Sequence, residues 1–175
     1  MHDRIGFSVG NIVGAVIPLF LGVLGAFVSN IPISIFGGHL PPPLLALMPV
    51  YFWCLVRPDL MPPWAALAIG ILEDLLSGGP PGMWACAFVA SYVLVDRQRD
   101  SFAGLAGFGA IIGFGAAMFT ASATALLIAA FYYWRFPPVT MLVVQFALTT
   151  LLYIPGAALC NLIHRRLIGP LRSDF

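Results

Sequence analysis

The sequence predicts an all-α polytopic membrane protein, folded as a single transmembrane domain over residues 1–175. Hydrophobic residues make up 61% of the chain and charged residues only 9%, whereas about a quarter of the residues in a soluble domain are charged. The apolar stretches follow one another with no polar segment long enough to form a soluble domain. We therefore expect nearly the whole chain to lie in a lipid bilayer.

Six apolar segments predict about six transmembrane helices, because each is bounded by prolines, glycines or charged residues that end helices. The first and the last two are long enough to span, since about 20 residues cross a hydrocarbon core. The other three have about 14 residues and reach only about 21 Å, so they must thin the bilayer or be buried among neighbouring helices. The predicted helices cover about 11–34, 43–56, 63–77, 82–95, 107–131 and 139–163.

The distribution of arginine predicts the orientation of these helices, because positive charge accumulates on the cytoplasmic side of short membrane loops. All eight basic residues are arginines, and placing the amino terminus inside leaves only Arg135 outside. Both termini are then cytoplasmic. The aromatic residues 51–53 and 131–134 are expected to form belts at the inner and outer interfaces. Four spans with an interfacial hairpin would leave the termini in the same places, so that alternative stays open.

Composition also limits the classes of function. A net charge of +1 argues against a nucleic-acid partner, which needs a clustered basic surface. Three isolated cysteines suggest buried apolar side chains, with no zinc or redox spacing. The chain has no Ser-His-Asp or Cys-His arrangement, no phosphate-binding glycine loop and no histidine-rich motif. We therefore expect no catalytic centre, cofactor or metal site.

Small residues recur at every fourth position along the first and fifth predicted helices. Such faces allow membrane helices to approach closely, so each could pack within the chain or receive another membrane protein. For partner docking the sequence favours the first stripe, especially Gly10, Gly14 and Gly22. The stripes are Gly6, Gly10, Gly14, Pro18, Gly22, Ala26 and Asn30, and Gly109, Gly113, Ala117, Ala121, Ala125 and Ala129.

Two adjacent carboxylates, Glu73 and Asp74, lie in the third predicted helix, which is otherwise uncharged. Charged groups at membrane depth are costly, so they face the bundle interior and pair, or they serve a function. Helical geometry puts Asp74 on one side with Gly70 and Gly78, from where it could accept hydrogen bonds from amides of the following turn. Two roles stay open for Asp74, fixing that turn or facing a partner or ligand. Proton coupling would need further acidic or histidine groups, which the chain lacks at that depth.

Two turns complete the set of candidate residues. After the third helix, Gly78 and Gly79 permit backbone angles closed to other residues, and Pro80 and Pro81 stop the helix before Gly82 begins the next one. Before the third helix, Arg57 and Pro58 predict a cytoplasmic turn that anchors the topology at the lipid headgroups.

The segment from about residue 43 to 95 resembles the rod shape-determining protein MreD family. The resemblance rests on an aromatic helix end at residues 49–53, a basic-Pro turn at 57–58, and a Gly-x-x-x-Asp helix that closes on Gly-x-Pro-x-Gly. The residues of that last pattern are Gly70, Asp74, Gly78, Pro80 and Gly82.

The resemblance implies a non-enzymatic scaffold in the bacterial inner membrane. Such a subunit binds MreC and acts, directly or indirectly, with the MreB cytoskeleton and the peptidoglycan synthases of the rod complex. It also implies a fold similar to the S components of energy-coupling-factor transporters. An S component of a vitamin uptake system is therefore the alternative function, although the short loops and sparse polar residues offer little for a specific external pocket.

Overall fold

The computed structural model describes residues 9–31, 41–99 and 108–168, with side chains for 16–31, 41–99 and 109–167. The described chain is all-helical and contains no strand, as predicted. Within these ranges there are six helices, and the last is followed by a π-helical turn at His164–Ile168. They are α1 (Val9–Ser29), α2 (Leu47–Val56), α3 (Pro63–Ser77), α4 (Met83–Arg97), α5 (Phe108–Tyr133) and α6 (Val139–Ile163).

The short helix α2 forms the centre of the bundle. It contacts α1, α4, α5 and α6, while α1, α3, α4, α5 and α6 touch one another in that order and form an arc around it. All eight side chains from Leu47 to Cys54 are buried. Because α2 has neighbours on every side, it needs no polar face, which explains its uninterrupted apolar sequence.

The inner aromatic belt predicted at residues 51–53 is therefore wrong. Tyr51 and Trp53 are 1% and 0% exposed. The ring of Tyr51 packs edge-on against Phe114 of α5 and Tyr153 of α6, with centroids 5.4 and 5.5 Å away. Those two rings in turn stack on each other at 4.1 Å. These aromatic residues join three helices in the core instead of marking an interface. The outer group at 131–134 is exposed.

Helix α2 starts at Leu47, later than the predicted residue 43, and side chains of two other helices bind the backbone before it. The amide of Leu44 donates to Thr149 Oγ1 on α6 at 3.0 Å. The amide of Leu45 donates to Ser29 Oγ at the end of α1 at 3.0 Å. These bonds satisfy the donors of the segment that precedes α2.

Helix α1 ends at Ser29, earlier than the predicted residue 34. Ile31 precedes a proline in the sequence, and a residue before proline disfavours the helical conformation. Residues 32–40 lie outside the described part of the chain.

Both small-residue stripes pack against other helices of the same chain where the structure describes them. On α1, Ala26 is fully buried, and a β-carbon added at Gly22 would overlap the side chain of Ile69 on α3. On α5, all six stripe residues are buried, and the hydroxyl of Ser91 on α4 lies 2.9 Å from the carbonyl oxygen of Ala117. Close helix contacts within the bundle thus use these faces.

Two of the described helices are long and apolar enough to cross a membrane. The candidate spans are Gly109–Tyr133 in α5, and Val139–Leu167 in α6 and the turn that follows it. Large apolar side chains also point outward from α1, α5 and α6. Examples that are more than half exposed include Phe20, Phe119, Leu127 and Leu151. The outer surface of the bundle is thus strongly apolar.

Candidate functional site

The last of the three patterns that carry the resemblance, Gly70 to Gly82, lies in one unit, which we call the α3–α4 hairpin and define as residues 63–97. Its helices approach each other closely at Gly70. A β-carbon added there would lie 2.6 Å from Ala85 Cα and 2.8 Å from the carbonyl oxygen of Trp84. Real side chains do not come so close to a backbone, so Gly70 allows α3 to lie directly against the first turn of α4.

Asp74 lies one turn beyond Gly70 and caps the amino terminus of α4. Its Oδ1 accepts the amide of Trp84 at 2.7 Å, and its Oδ2 accepts the amides of Gly82 and Ala85 at 3.0 and 3.1 Å. The first amides of a helix have no partner within that helix, and its amino terminus carries partial positive charge. A carboxylate 8% exposed is thus compensated by three backbone donors.

The sequence predicted that amides of the turn after α3 donate to Asp74, and the bond from the Gly82 amide confirms this. The two bonds from Trp84 and Ala85 were missed, because they belong to the first turn of α4. Asp74 therefore joins two helices as well as fixing the turn between them.

The backbone of the connecting turn depends on two glycines. Gly78 ends α3 with φ of 64° and donates its amide to the carbonyl oxygen of Asp74 at 3.3 Å. Gly82 precedes α4 with φ of 86°. Both angles lie in the left-handed region that other residues adopt only at a cost. Between them, Pro80 is buried and Pro81 is exposed.

Glu73 points away from this cap, toward α1. It is 4% exposed, and its Oε1 accepts the side-chain amide of Asn30 at 2.8 Å. Its Oε2 is buried without a hydrogen-bond partner. The two neighbouring carboxylates thus have different roles, because Asp74 joins α3 to α4 and Glu73 joins α3 to the end of α1.

Arg57 and Pro58 lie at the opposite end of α3 from the capped turn. The guanidinium of Arg57 donates to both carboxylate oxygens of Asp59, with Nη2 and Oδ2 2.8 Å apart. These hydrogen bonds raise the pKa of Arg57 above its ordinary value. The backbone closes the turn with a bond from the Leu60 amide to the Arg57 carbonyl oxygen at 2.9 Å. The pair is exposed, so it contributes little to stability.

The structure describes the surroundings of only one of the three candidate docking glycines of α1. Gly22 lies against Ile69 of the same chain, so that face of α1 is already occupied at this depth. Gly10 and Gly14 lie in the α1 backbone, but their surroundings fall outside the described side chains. A docking role for these two positions stays a prediction.

Sequence reasoning missed the polar residues that hold the entry to α2, namely Ser29 and Thr149. Gln145 also binds the backbone before α2, because its side-chain amide donates to the carbonyl oxygen of Pro42 at 2.9 Å. The sequence feature that could have identified them is an isolated polar residue in an apolar helix, because such a residue needs a hydrogen-bond partner. No cluster of three or more His, Cys, Asp or Glu side chains that could hold a metal occurs among the described residues.

Comparison with known proteins identifies no relative. No family model matches the chain, and neither the curated proteins nor the solved structures contain a significant match.

Proposed function

We propose that this chain is a polytopic protein of the bacterial inner membrane, with six transmembrane helices and both termini in the cytoplasm. Two helices of spanning length and the apolar outer surface of the bundle support this placement. Exposed apolar surface on this scale is unfavourable in water and suits a lipid environment. The central position of α2, whose ten residues reach only about 15 Å, fits a short helix that is shielded by longer neighbours.

We further propose that the protein is a non-enzymatic scaffold subunit of the rod complex, which binds MreC and supports peptidoglycan synthesis with MreB and the cell-wall synthases. One observation carries this proposal. Gly70, Asp74, Gly78, Pro80 and Gly82, which carry part of the resemblance to the MreD family, lie in the hairpin, where Asp74 binds the start of α4. Both carboxylate oxygens of Asp74 accept amides at the start of α4, which suits a structural role better than a catalytic one.

Partner contacts of this scaffold are proposed at the surface of α1 that faces outward. With Gly22 and Ala26 covered, the outward side carries Val16, Phe20, Leu24, Phe27 and Ile31. Their spacing of three or four residues gives one continuous apolar face. A single transmembrane helix, such as the membrane anchor implied for MreC, has the shape to pack along it.

The test is a mild-detergent pull-down of the tagged protein from its own cells, with mass spectrometry of the co-purifying proteins. Recovery of MreC and cell-wall synthases above an untagged control is the expected result. Recovery of a transporter ATPase pair and its coupling subunit would instead assign the chain to vitamin uptake.

That second function has one observation in its favour, a cavity of about 460 Å³ among α4, α5 and α6 at the end that we place outside. However, Arg135 supplies the only charge in its lining, and most of the remaining side chains are apolar. A site for a specific polar vitamin needs several converging polar groups. We therefore favour the scaffold.

A further inference from the structure

The cavity among α4, α5 and α6 adjoins a second cavity between α5 and α6, and we call the two together the groove. The second cavity, of about 260 Å³, lies along these two helices, and Leu126 and Leu142 line both. Together they extend from Tyr133 at the end of α5 down to Phe119. At 1.5 Å per residue this is roughly 20 Å, which exceeds the half-thickness of about 15 Å of a hydrocarbon core. The groove is therefore long enough for one acyl chain of the outer leaflet.

The mouth of the groove carries a single positive charge. Arg135 lines the upper cavity, is exposed, and forms no hydrogen bond or ion pair with any described residue. In the proposed topology it is also the only arginine on the outer side, against the usual bias. A guanidinium binds phosphate oxygens through two parallel hydrogen bonds. The charge therefore complements a phosphate group placed above an apolar channel.

In the proposed topology, the backbone and the neighbouring side chains support a position for Arg135 at headgroup level. Trp134 adopts φ of 52° and ends α5, a conformation that is uncommon for a bulky residue. Aromatic side chains cluster around it, with Trp134 85% and Phe136 83% exposed. Such clusters lie at the membrane interface, where phosphate groups of lipids are found.

We propose that this groove binds an anionic membrane phospholipid, with its phosphate on Arg135 and one acyl chain between α5 and α6. The proposal rests on the membrane placement proposed above but not on the identity of the protein partner. Recognition combines one charge-assisted contact at the mouth with burial of the acyl chain in the apolar groove.

Native mass spectrometry of the full chain tests this proposal. The delipidated protein is titrated with dioleoylphosphatidylglycerol, and separately with dioleoylphosphatidylethanolamine. We expect one preferred phosphatidylglycerol per chain, and about fivefold weaker binding in Arg135→Gln, because one basic residue near a membrane surface contributes about that factor. Arg135→Lys keeps the charge but loses the two parallel hydrogen bonds, so its binding should lie between that of the wild type and that of Arg135→Gln.

Two further variants separate the mouth from the groove. Arg97→Gln removes an exposed arginine at the far end of α4 and should leave lipid binding unchanged. Ala123→Phe fills the lower groove, which Ala123 lines, and should weaken binding although Arg135 remains. Gel filtration of each variant checks that it is folded.

Equal binding of the two lipids by the wild type, or equal loss in Arg97→Gln and Arg135→Gln, would overturn the proposal. Unchanged binding in a folded Ala123→Phe protein would overturn the placement of the acyl chain. Absence of the tagged chain from the membrane fraction would instead overturn the membrane placement. Failure to recover MreC would leave this lipid result unaffected, so the two proposals fail separately.

Discussion

The Oδ1 atom of Asp74 on α3 accepts the backbone amide of Trp84 in the first turn of α4 at 2.7 Å. It is the shortest of three bonds that join the carboxylate to the start of the next helix. A side chain on one helix thus caps its neighbour, a task usually done by the residue that immediately precedes a helix. This contact joins the two helices of the hairpin directly.

Replacing Asp74 with alanine should destabilise the protein strongly, because three amides of a buried turn lose their acceptor. The expected loss is on the order of 3 kcal/mol, and each kcal/mol corresponds to about 2–4 °C in Tm for a chain of this size. Thermal unfolding of the purified protein in detergent measures it. Asp96→Asn, which changes an exposed acid of α4, is the control and should leave Tm unchanged. Equal Tm values for both variants would contradict the capping role.

Gly70→Ala should push α3 and α4 apart, since the added β-carbon would lie 2.6 Å from Ala85 Cα. Overpacking of this kind costs about 1–3 kcal/mol. The matched control is Gly115→Ala on α5, where an added β-carbon has no neighbour within 4 Å. That control should keep or slightly raise Tm, because alanine favours the helix. If both substitutions behave alike, the close approach at Gly70 does not limit stability.

Gly78→Ala should lower Tm through backbone strain alone, because its β-carbon would meet no neighbour within 4 Å but its φ is 64°. The left-handed conformation costs a residue with a β-carbon about 1–2 kcal/mol. Asparagine tolerates this conformation better, so Gly78→Asn should lie between alanine and the wild type. Thermal unfolding of the three proteins is the check, with the highest Tm expected for the wild type and the lowest for Gly78→Ala. A Gly78→Ala protein with the Tm of the wild type would contradict this prediction.

Glu73→Gln should be tolerated, whereas Asn30→Ala should not. Glutamine keeps a carbonyl oxygen for the Asn30 amide and removes an ionisable group from a buried position. Asn30→Ala leaves Glu73 with no described partner and should cost about 1–3 kcal/mol. Melting both single variants and the double variant gives the coupling between the residues. A Glu73→Gln protein less stable than Asn30→Ala would show that the charge of Glu73 is needed.

The hairpin could be predicted largely from the sequence because its signals are local. Pro63 and Gly78 mark the ends of α3, and the structure has the helix between them. The placement of α2 could not be predicted, since a helix that is apolar on all sides has the same pattern in lipid and in a protein core. Its aromatic residues suggested an interface, and only contacts from α5 and α6 place Tyr51 at the centre.

Long-range polar contacts account for the remaining differences. The sequence placed Asn30 in the small-residue stripe of the first helix but could not pair it with Glu73, 43 positions away. Ser29 and Thr149 bind the backbone before α2 through hydrogen bonds that depend on how three helices meet. Such pairings follow from tertiary packing and leave no periodic signal in the chain.

Binding of the purified full chain to purified MreC from the same cells tests the central claim most directly. Both proteins would be placed in lipid nanodiscs, and complex formation would be measured by gel filtration and light scattering. We predict a defined complex with the wild type and Asp96→Asn, and reduced yield with Asp74→Ala. A folded, monodisperse wild-type chain that forms no complex with MreC would contradict the proposed scaffold function.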